Sequence, residues 1–173
     1  DQVYVTVNTL PVANAGTDKS ICIGNTVSII ASGGDTYTWN TGEQTASISV
    51  SPNVTTTFTI TVTDVNGCTD NDAVVVNVNQ LPQVNAGPDD FICLTKTLVL
   101  SAAASGTGLN YEWTSTGWIS DAAILNPSVG TDDPMATADK TINFKLKVTD
   151  NNNCIAEDSV DVLFMVDCQL KVA

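Results

Sequence analysis

The sequence predicts an all-β protein made of two tandem immunoglobulin-like β-sandwich domains, and three observations support this prediction. Apolar and polar residues alternate in short runs, which is typical of strands with one buried face. The runs are separated by turns rich in Gly, Asn and Asp, and residues that favour helices are scarce. The whole pattern occurs twice along the 173 residues. The chain is therefore predicted to contain two copies of one small β domain.

A strand and turn at 57–68 form the clearest element, which is found again at 142–154. Three alternating residues give each copy its apolar face: Phe58, Ile60 and Val62 in the first, and Phe144, Leu146 and Val148 in the second. The turns Asn66-Gly67 and Asn152-Asn153 supply the positive φ angles of a tight hairpin, since Gly and Asn tolerate the left-handed region. Each copy ends in a cysteine.

The repeat sets the predicted domain boundaries. Residues 10–80 form the first repeat and residues 81–167 the second. The motif Asn-Ala-Gly-x-Asp begins at position 14 and again at position 85, which is 85 − 14 = 71 positions later. Residues 1–9 are similar to residues 72–80, so they are predicted to be the last strand of a preceding repeat. Residues 168–173 are predicted to begin a following module.

Each repeat carries the pattern Tyr-x-Trp in its third strand, at Tyr37 and Trp39 and again at Tyr111 and Trp113. A two-sheet sandwich buries such a Trp in its core. Because both rings lie on one strand face, we interpret them as core residues rather than as a platform for sugars. The spacing of the turns predicts about seven strands in each repeat.

The second repeat contains an insertion within residues 114–140. The core Trp and the hairpin Cys are separated by 68 − 39 = 29 positions in the first repeat and by 154 − 113 = 41 in the second. The inserted segment is rich in Gly, Ser, Asp and Pro, which predicts a long, mobile surface loop. Trp118 lies there without a strand partner, and we expect it to be the recognition residue if this chain has one.

Composition excludes several classes of function. The formal net charge is −13, from 19 acidic and 6 basic residues, so nucleic acid would be repelled. No apolar run is long enough for membrane insertion, and no signal peptide is evident. His is absent and no nucleophile with a base can be recognised, so the chain is predicted not to be an enzyme. Neighbouring acids are interpreted as solvated turn residues: Asp70 and Asp72, Asp89 and Asp90, and Asp132 and Asp133.

Five cysteines indicate disulfide bonding: Cys22, Cys68, Cys93, Cys154 and Cys168. The first four allow three connectivities. One pair per repeat at equivalent positions favours Cys22–Cys68 and Cys93–Cys154, and Cys168 is then expected to pair outside these residues. No Cys-x-x-Cys spacing accompanies them, so disulfides are favoured over zinc. This predicts an oxidising, extracytoplasmic location.

Two clusters of oxygen-bearing side chains raise the question of calcium: Asp64, Asn66, Asp70 and Asp72, and Asp150, Asn152, Glu157 and Asp158. Neither cluster has the spacing of an EF-hand, and turn chemistry explains the Asp-x-Asn pattern by itself. We therefore predict no cofactor, with calcium as the alternative that is not favoured. Asp18 and Asp89, which follow the motif glycine, are expected to hydrogen-bond the local backbone.

Taken together, these motifs resemble the PKD/immunoglobulin-like repeats of very large Bacteroidota cell-surface proteins, including gliding-motility adhesins exported by the type IX secretion system. The matching residues of the first repeat have their counterparts in the second: Asn14 to Asp18, Ile21-Cys22, Tyr37, Trp39 and Thr61 to Cys68. The resemblance covers nearly all of residues 11–166, although Asn153 replaces the turn glycine. Asp158-Ser159-Val160 looks like the O-glycosylation signal of such secreted proteins, with Ser159 as acceptor. Asn53-Val54-Thr55 is a formal N-glycosylation sequon.

The resemblance implies a non-catalytic structural and adhesive stalk segment of a long filament at the bacterial cell surface, with a role in gliding motility. Its partners would be neighbouring repeats of the same chain and a surface polysaccharide or other cell-surface ligand. The alternative is a spacer or carbohydrate-binding accessory module of a secreted hydrolase. Further repeats elsewhere in the parent protein would favour the stalk, and a domain with a catalytic constellation would favour the accessory module.

Overall fold

The computed structural model describes residues 1–168, and these residues form strands, turns and bends without a helix. The chain splits into two compact units, Asp1–Gln80 and Leu81–Ala173, and each unit has a hydrophobic core of its own. The following module predicted at 168–173 lies outside the described residues, except for Cys168.

Unit 1 contains six strands: β1 (Lys19–Cys22), β2 (Val27–Ile30), β3 (Thr36–Trp39), β4 (Ser47–Val50), β5 (Thr56–Thr63) and β6 (Thr69–Asn79). The larger sheet has the order β1-β6-β5-β3, and the smaller sheet pairs β2 with β4. An isolated antiparallel bridge between Asn14 and Ser32 lies just beyond β2. The chain therefore touches the smaller sheet first and then crosses to the larger sheet as β1.

The described residues of unit 2, 81–168, form nine strands: β7 (Gln83–Asn85), β8 (Asp90–Cys93), β9 (Leu98–Val99), β10 (Ala103–Ser105), β11 (Asn110–Ser115), β12 (Trp118–Ile119), β13 (Ser128–Gly130), β14 (Lys140–Thr149) and β15 (Ile155–Met165). The order β11-β14-β15-β8 corresponds to the larger sheet of unit 1. The remaining strands form the sheets β12-β13-β9 and β10-β7. Unit 1 therefore has one strand fewer than the seven predicted, and the described part of unit 2 has two more.

The long hairpin strands bury the apolar faces that the alternation predicted. In β5 the buried residues are Phe58, Ile60 and Val62, and in β14 they include Phe144, Leu146 and Val148. Each such side chain contributes about 1.5–3 kcal/mol when it is removed from water. These residues form the centres of the two cores, so this part of the prediction is confirmed.

The Tyr-x-Trp residues also lie in the cores. Trp39 and Trp113 are each 2% exposed, and Tyr37 and Tyr111 pack against the same clusters. The indole of Trp39 donates to the carbonyl of Thr45 at 2.9 Å, and that of Trp113 also donates to backbone carbonyls. A buried indole needs such an acceptor. The core interpretation is therefore confirmed.

The first strand of each larger sheet runs parallel to the last. β1 pairs with the end of β6, with Cys22 opposite Asn79, and β8 pairs with the end of β15, with Cys93 opposite Met165. Parallel neighbours point in the same direction. Cys22 and Cys93 therefore lie beside the carboxyl ends of β6 and β15.

This strand direction contradicts the predicted disulfide pairing. Cys68 and Cys154 directly precede β6 and β15, so eleven residues separate them from the far end, about 36 Å at roughly 3.3 Å per residue. Bonded cysteines need Cα atoms within about 7 Å. The predictions Cys22–Cys68 and Cys93–Cys154 are therefore wrong. Cys93 is bonded to Cys168, with 5.8 Å between the Cα atoms, which also corrects the external partner expected for Cys168.

Of the four cysteines predicted to be oxidised, Cys22, Cys93 and Cys154 are disulfide-bonded, whereas Cys68 is a free thiol. The Cys93–Cys168 bridge spans 75 positions and closes nearly all of unit 2 into one covalent loop. Disulfide bonding is typical of an oxidising, extracytoplasmic compartment.

The hairpins use one left-handed residue rather than two. Gly67 has a φ of 81° and Asn153 a φ of 60°, whereas Asn66 and Asn152 are not in the positive region. The N–H of Gly67 donates to the carbonyl of Asp64 at 3.0 Å, and the second hairpin has the same contact at 3.1 Å. A four-residue turn that ends in a left-handed residue is a common way to join antiparallel strands.

The insertion at 114–140 is more ordered than the predicted loop. It contains β12 and β13, and β13 also pairs with β9. Val129 is fully buried, and Ile119 and Leu125 pack against the core of unit 2. Short ladders therefore tie the insertion to the body of the domain.

Residues 1–9, predicted to be a strand, form none in this structure. Their apolar side chains are 82–89% exposed: Val3, Tyr4, Val5 and Val7. A strand is stabilised by a partner that accepts and donates its backbone hydrogen bonds. Neither sheet of unit 1 pairs with this segment, so the alternation alone does not make it a strand.

We expect peptide mapping without reduction to recover Cys93 joined to Cys168, together with an alkylated Cys68. Replacing Cys168 with serine should lower the free energy of unfolding of unit 2 by up to about 4.5 kcal/mol, because the bridge closes a long loop of the unfolded chain. Denaturant unfolding of Cys68→Ser, which breaks no bridge, is the matched control. A recovered Cys93–Cys154 peptide would contradict the strand direction described above.

Candidate functional site

The first carboxylate of each acidic cluster organises a hairpin turn. Asp64 Oδ1 accepts hydrogen bonds from the backbone amides of Asn66 at 2.9 Å and Cys68 at 2.8 Å. Asp150 Oδ1 accepts the equivalent two bonds at 2.8 Å each. The amide of Cys68 lowers the pKa of Asp64, because the charged carboxylate is the better acceptor. The turn interpretation of the Asp-x-Asn pattern is therefore confirmed.

A second carboxylate in each cluster lies where the chain crosses between the sheets. Asp72 Oδ2 accepts the backbone N–H of Ala15 at 2.8 Å, and Asp158 Oδ2 accepts that of Ala86 at 2.8 Å. Both alanines are buried, and a buried amide without an acceptor is costly. The amide of Ala15 lowers the pKa of Asp72. These oxygens therefore accept the amides of buried residues.

The motif Asn-Ala-Gly-x-Asp supplies the reciprocal contact. Asp18 Oδ1 accepts the backbone N–H of Val75, and Asp89 Oδ1 accepts that of Asp161, both at 2.9 Å. Sequence separations of 57 and 72 positions show that these bonds are not local, which corrects the expectation for both residues. The side-chain oxygen of the motif Asn accepts the backbone N–H of the motif glycine, at 2.7 Å in the first repeat and 2.8 Å in the second. The motif therefore joins the start of each domain to its last strand.

Sequence reasoning missed this exchange of hydrogen bonds, although a signal for it was present. An acid occurs at 18 and 72 in the first repeat, and at 89 and 158 in the second. The two acids of each pair lie far apart in sequence, and nothing in either acid's local sequence indicates that it bonds the other segment. Recurrence of both acids in both repeats was the feature that could have revealed the contact.

No candidate metal centre is present among residues 1–168, since no three Cys, Asp or Glu side chains lie close enough to hold an ion. Other acids also accept backbone amides: Asp70 that of Ala13 at 2.8 Å, Asp90 that of Phe91 at 2.7 Å, and Asp133 that of Met135 at 3.3 Å. The described part of the chain likewise includes no helix with the length and apolar character needed to cross a bilayer.

The two candidate glycosylation residues lie at the surface. Ser159 is exposed on β15, where it pairs with Lys145 of β14. Asn53 is exposed in the bend between β4 and β5, and the hydroxyl of Thr55 accepts the amide of Val78 at 3.1 Å. Asp158, which precedes Ser159, has the structural role described above.

Trp118 lies on β12 with 44% of its surface exposed, beside a pocket of about 210 Å³. The pocket is lined by the turn after β8, the insertion strands and the segment after β13: Leu94, Thr95, Lys96, Thr97, Trp118, Gly130, Thr131 and Pro134. Sequence reasoning singled out Trp118, but the remaining residues had no recognisable pattern. The insertion therefore places an accessible aromatic ring in a concave, partly polar surface.

Residues 86–164 match the family model described as "K319L-like, PKD domain", a stretch that lies within unit 2. A search of curated proteins found no match to this chain.

Solved structures show the fold more broadly. The eight N-terminal Ig domains of Down Syndrome Cell Adhesion Molecule isoform 1.30.30 align at 17% identity with a TM-score of 0.54, over 89% of this chain and 24% of that one. The fibronectin(III)-like modules of Clostridium thermocellum CbhA align at 12% identity with a TM-score of 0.41, over 90% and 94% of the two chains. The chain spans about a quarter of the cell-adhesion structure, and the likeness to that structure shows an all-β, immunoglobulin-like fold.

Acid should destabilise the native protein partly through Asp72. Its pKa is lowered by folding, so its contribution is fully present above the unfolded value of about 3.9 and is lost as the pH falls towards the folded value. We expect Asp72→Asn to lose less stability than the native chain in urea unfolding between about pH 5 and pH 3. Asp35→Asn is the control, because Asp35 is exposed and its carboxylate has no hydrogen bond among the described residues. Equal slopes for Asp72→Asn and the native chain would contradict this role.

Proposed function

We propose that this chain is a non-catalytic structural and adhesive segment of a long filament at the bacterial cell surface, built from tandem immunoglobulin-like sandwiches. Neighbouring repeats of the same protein are its first partners, and a cell-surface ligand is its second. Export by the type IX system and a role in gliding motility belong to the same proposal. The observation that carries the proposal is that β8 of unit 2 pairs with the last strand, β15, and is joined by a disulfide to Cys168, which follows β15.

A pull on the two ends of unit 2 would act on β8 and β15 in opposite directions. These strands are parallel neighbours, paired from Asp90 with Val162 to Cys93 with Met165. Their hydrogen bonds lie across the direction of force, so all of them are loaded together rather than one after another. Such an arrangement resists extension more strongly than a pair of strands that is opened from one end.

The disulfide adds a covalent limit at the same place. Because Cys93 is bonded to Cys168, force would pass through the bridge even after the sheets had separated. The 75 residue steps between the two cysteines would carry no tension. A stalk made of such domains would lengthen little before its covalent bonds bear the load, which suits a segment that holds an adhesive domain away from a cell.

Single-molecule stretching tests this function directly. The starting protein is the full chain with Cys22→Ser, Cys68→Ser and Cys154→Ala, in which Cys93–Cys168 is the one intrachain bridge that remains available. Adding Cys168→Ser should lengthen the extended unit 2 by about 260 Å, since 75 released steps measure roughly 3.5 Å each. The native chain, treated with and without reductant, completes the comparison.

Two results would contradict the stalk. Equal extension with and without Cys168→Ser would show that the bridge does not shorten the path of force. Unfolding of β8 from β15 at forces no higher than those of antiparallel strands opened from one end would remove the mechanical role of the parallel pair.

The second candidate, a spacer or carbohydrate-binding accessory module of a secreted hydrolase, is favoured by the pocket beside Trp118. An intact-mass measurement and the full sequence of the mature parent protein distinguish the two. A series of further repeats supports the stalk, whereas a neighbouring domain with a nucleophile or acid pair in a cleft supports the accessory module.

A further inference from the structure

We propose that the pocket beside Trp118 binds a single pyranose ring of a saccharide. The stalk proposal is not needed for this inference: ligand binding and extension under force are measured separately, so either can fail alone. Four features support the assignment: the aromatic wall of the pocket, its polar residues, its size, and the different residues at the equivalent positions of unit 1.

The aromatic wall is accessible and has a fixed position. Trp118 pairs across the ladder with Gly130. A Cβ atom placed on Gly130 would lie 3.4 Å from Cε3 of the Trp118 ring and 3.7 Å from Cγ2 of Thr97. Gly130 therefore lies between these two side chains, and its lack of a side chain leaves the pocket open. A sugar ring has a face of C–H groups that packs well on an indole, while its hydroxyls stay at the rim.

Three threonines and a lysine are among the residues that line the pocket: Thr95, Lys96, Thr97 and Thr131. A threonine hydroxyl both donates and accepts, and a lysine ammonium donates three hydrogen bonds, so these residues complement sugar hydroxyls. Thr131 Oγ1 accepts the amide of Asp133 at 3.1 Å, which leaves its own hydrogen for a ligand.

The ammonium of Lys96 is available for a ligand. Lys145 and Lys147 are paired with Glu157 and Glu112, at 2.6 and 2.8 Å, whereas Lys96 forms no ion pair with any carboxylate of residues 1–168. Lys96 can therefore donate to the hydroxyls of a neutral sugar or to the carboxylate of a uronic acid.

The volume of about 210 Å³ corresponds to about seven water molecules at roughly 30 Å³ each. Sites for larger ligands usually measure about 300–1,000 Å³. The pocket therefore has room for one ring rather than for a longer stretch of a chain, and dissociation constants on the order of millimolar are expected.

Unit 1 lacks the side chains that line this pocket, although its turn has the same backbone bonds. After β1, the amide of Asn25 donates to Cys22 at 3.0 Å, as the amide of Lys96 donates to Cys93 at 2.9 Å. Unit 1 has Gly24 and Asn25 where unit 2 has Thr95 and Lys96, and it has no insertion. Unit 1 closes its sandwich without these side chains, so packing of the fold does not require them.

The test measures tryptophan fluorescence and saturation-transfer NMR of the full chain with four probes: methyl β-glucopyranoside, methyl β-galactopyranoside, methyl α-mannopyranoside and glucuronic acid. Trp39 and Trp113 are buried, so a saturable change in fluorescence reports on Trp118. At least one sugar should bind, and Trp118→Ala should weaken its binding at least tenfold. Gly130→Ala, which has ordinary contact distances for its new methyl group, should also weaken it by filling the floor of the pocket.

Matched controls separate the pocket from general surface effects. Phe91→Ala removes another exposed aromatic ring of unit 2, and Lys140→Ala removes another exposed charge; neither should change binding. Tighter binding of glucuronic acid that is lost in Lys96→Ala identifies an acidic sugar, and equal binding of the neutral glycosides identifies a neutral one.

Three outcomes would overturn the inference. The first is that no sugar gives a saturable change in the signal. The second is that binding is unchanged in both Trp118→Ala and Gly130→Ala. The third is that N-acetyl-leucinamide binds the pocket more tightly than every sugar. The last result would assign the site to an apolar peptide side chain.

Discussion

The structure depends on a reciprocal pair of carboxylate–amide bonds at the point where each unit crosses from one sheet to the other. A chain that leaves one sheet to join another must break its ladder, and Ala15 and Ala86 are buried where that break occurs. Asp72 and Asp158 accept the amides that would otherwise lose their partners. Carboxylates are strong acceptors for backbone N–H groups, so two single side chains can replace the missing strand contacts.

The return bond in each pair fixes the direction of the first strand. Asp18 accepts the amide of Val75, which directly precedes the pairing of Lys19 with Val76, and Asp89 does the same before β8. Each acid therefore begins the parallel ladder and holds its register. A shift of one residue would separate the carboxylate from its amide and turn the buried face outward.

Periodicity predicted the strands and their buried faces but could not predict this direction. Phe58, Ile60 and Val62 show their face through alternation, which is the same whichever way a neighbouring strand runs. Disulfide pairing depends on the direction, because it decides which end of β6 lies beside Cys22. Two cysteines at equivalent positions of a repeat were therefore not enough to assign a bridge.

The insertion shows a different limit of sequence reasoning. β12 and β13 have two and three residues, too few to display a period, and Gly130 has no side chain to mark its face. The sequence alone singles out Trp118, but the expectation that it has no strand partner is wrong, because Trp118 pairs with Gly130 of β13. Its pocket could not be predicted, because β13 brings Gly130 and Thr131 next to a turn that lies more than thirty positions earlier.

The two units share one frame, and in each the strand that runs parallel to the last strand ends in a disulfide-bonded cysteine, Cys22 in unit 1 and Cys93 in unit 2. In unit 2 this end carries the Cys93–Cys168 bridge, and the next residue, Leu94, donates its amide to Met165 at 2.9 Å and lines the pocket. The turn that forms one wall of the pocket is thus held by the last strand and by a covalent bond to the segment that follows it. Ordering a pocket before a ligand arrives reduces the entropy lost on binding. In the two proposals made above, the pairing of β8 with β15 and the Cys93–Cys168 bridge would both resist a pull along unit 2 and hold the turn that lines the pocket.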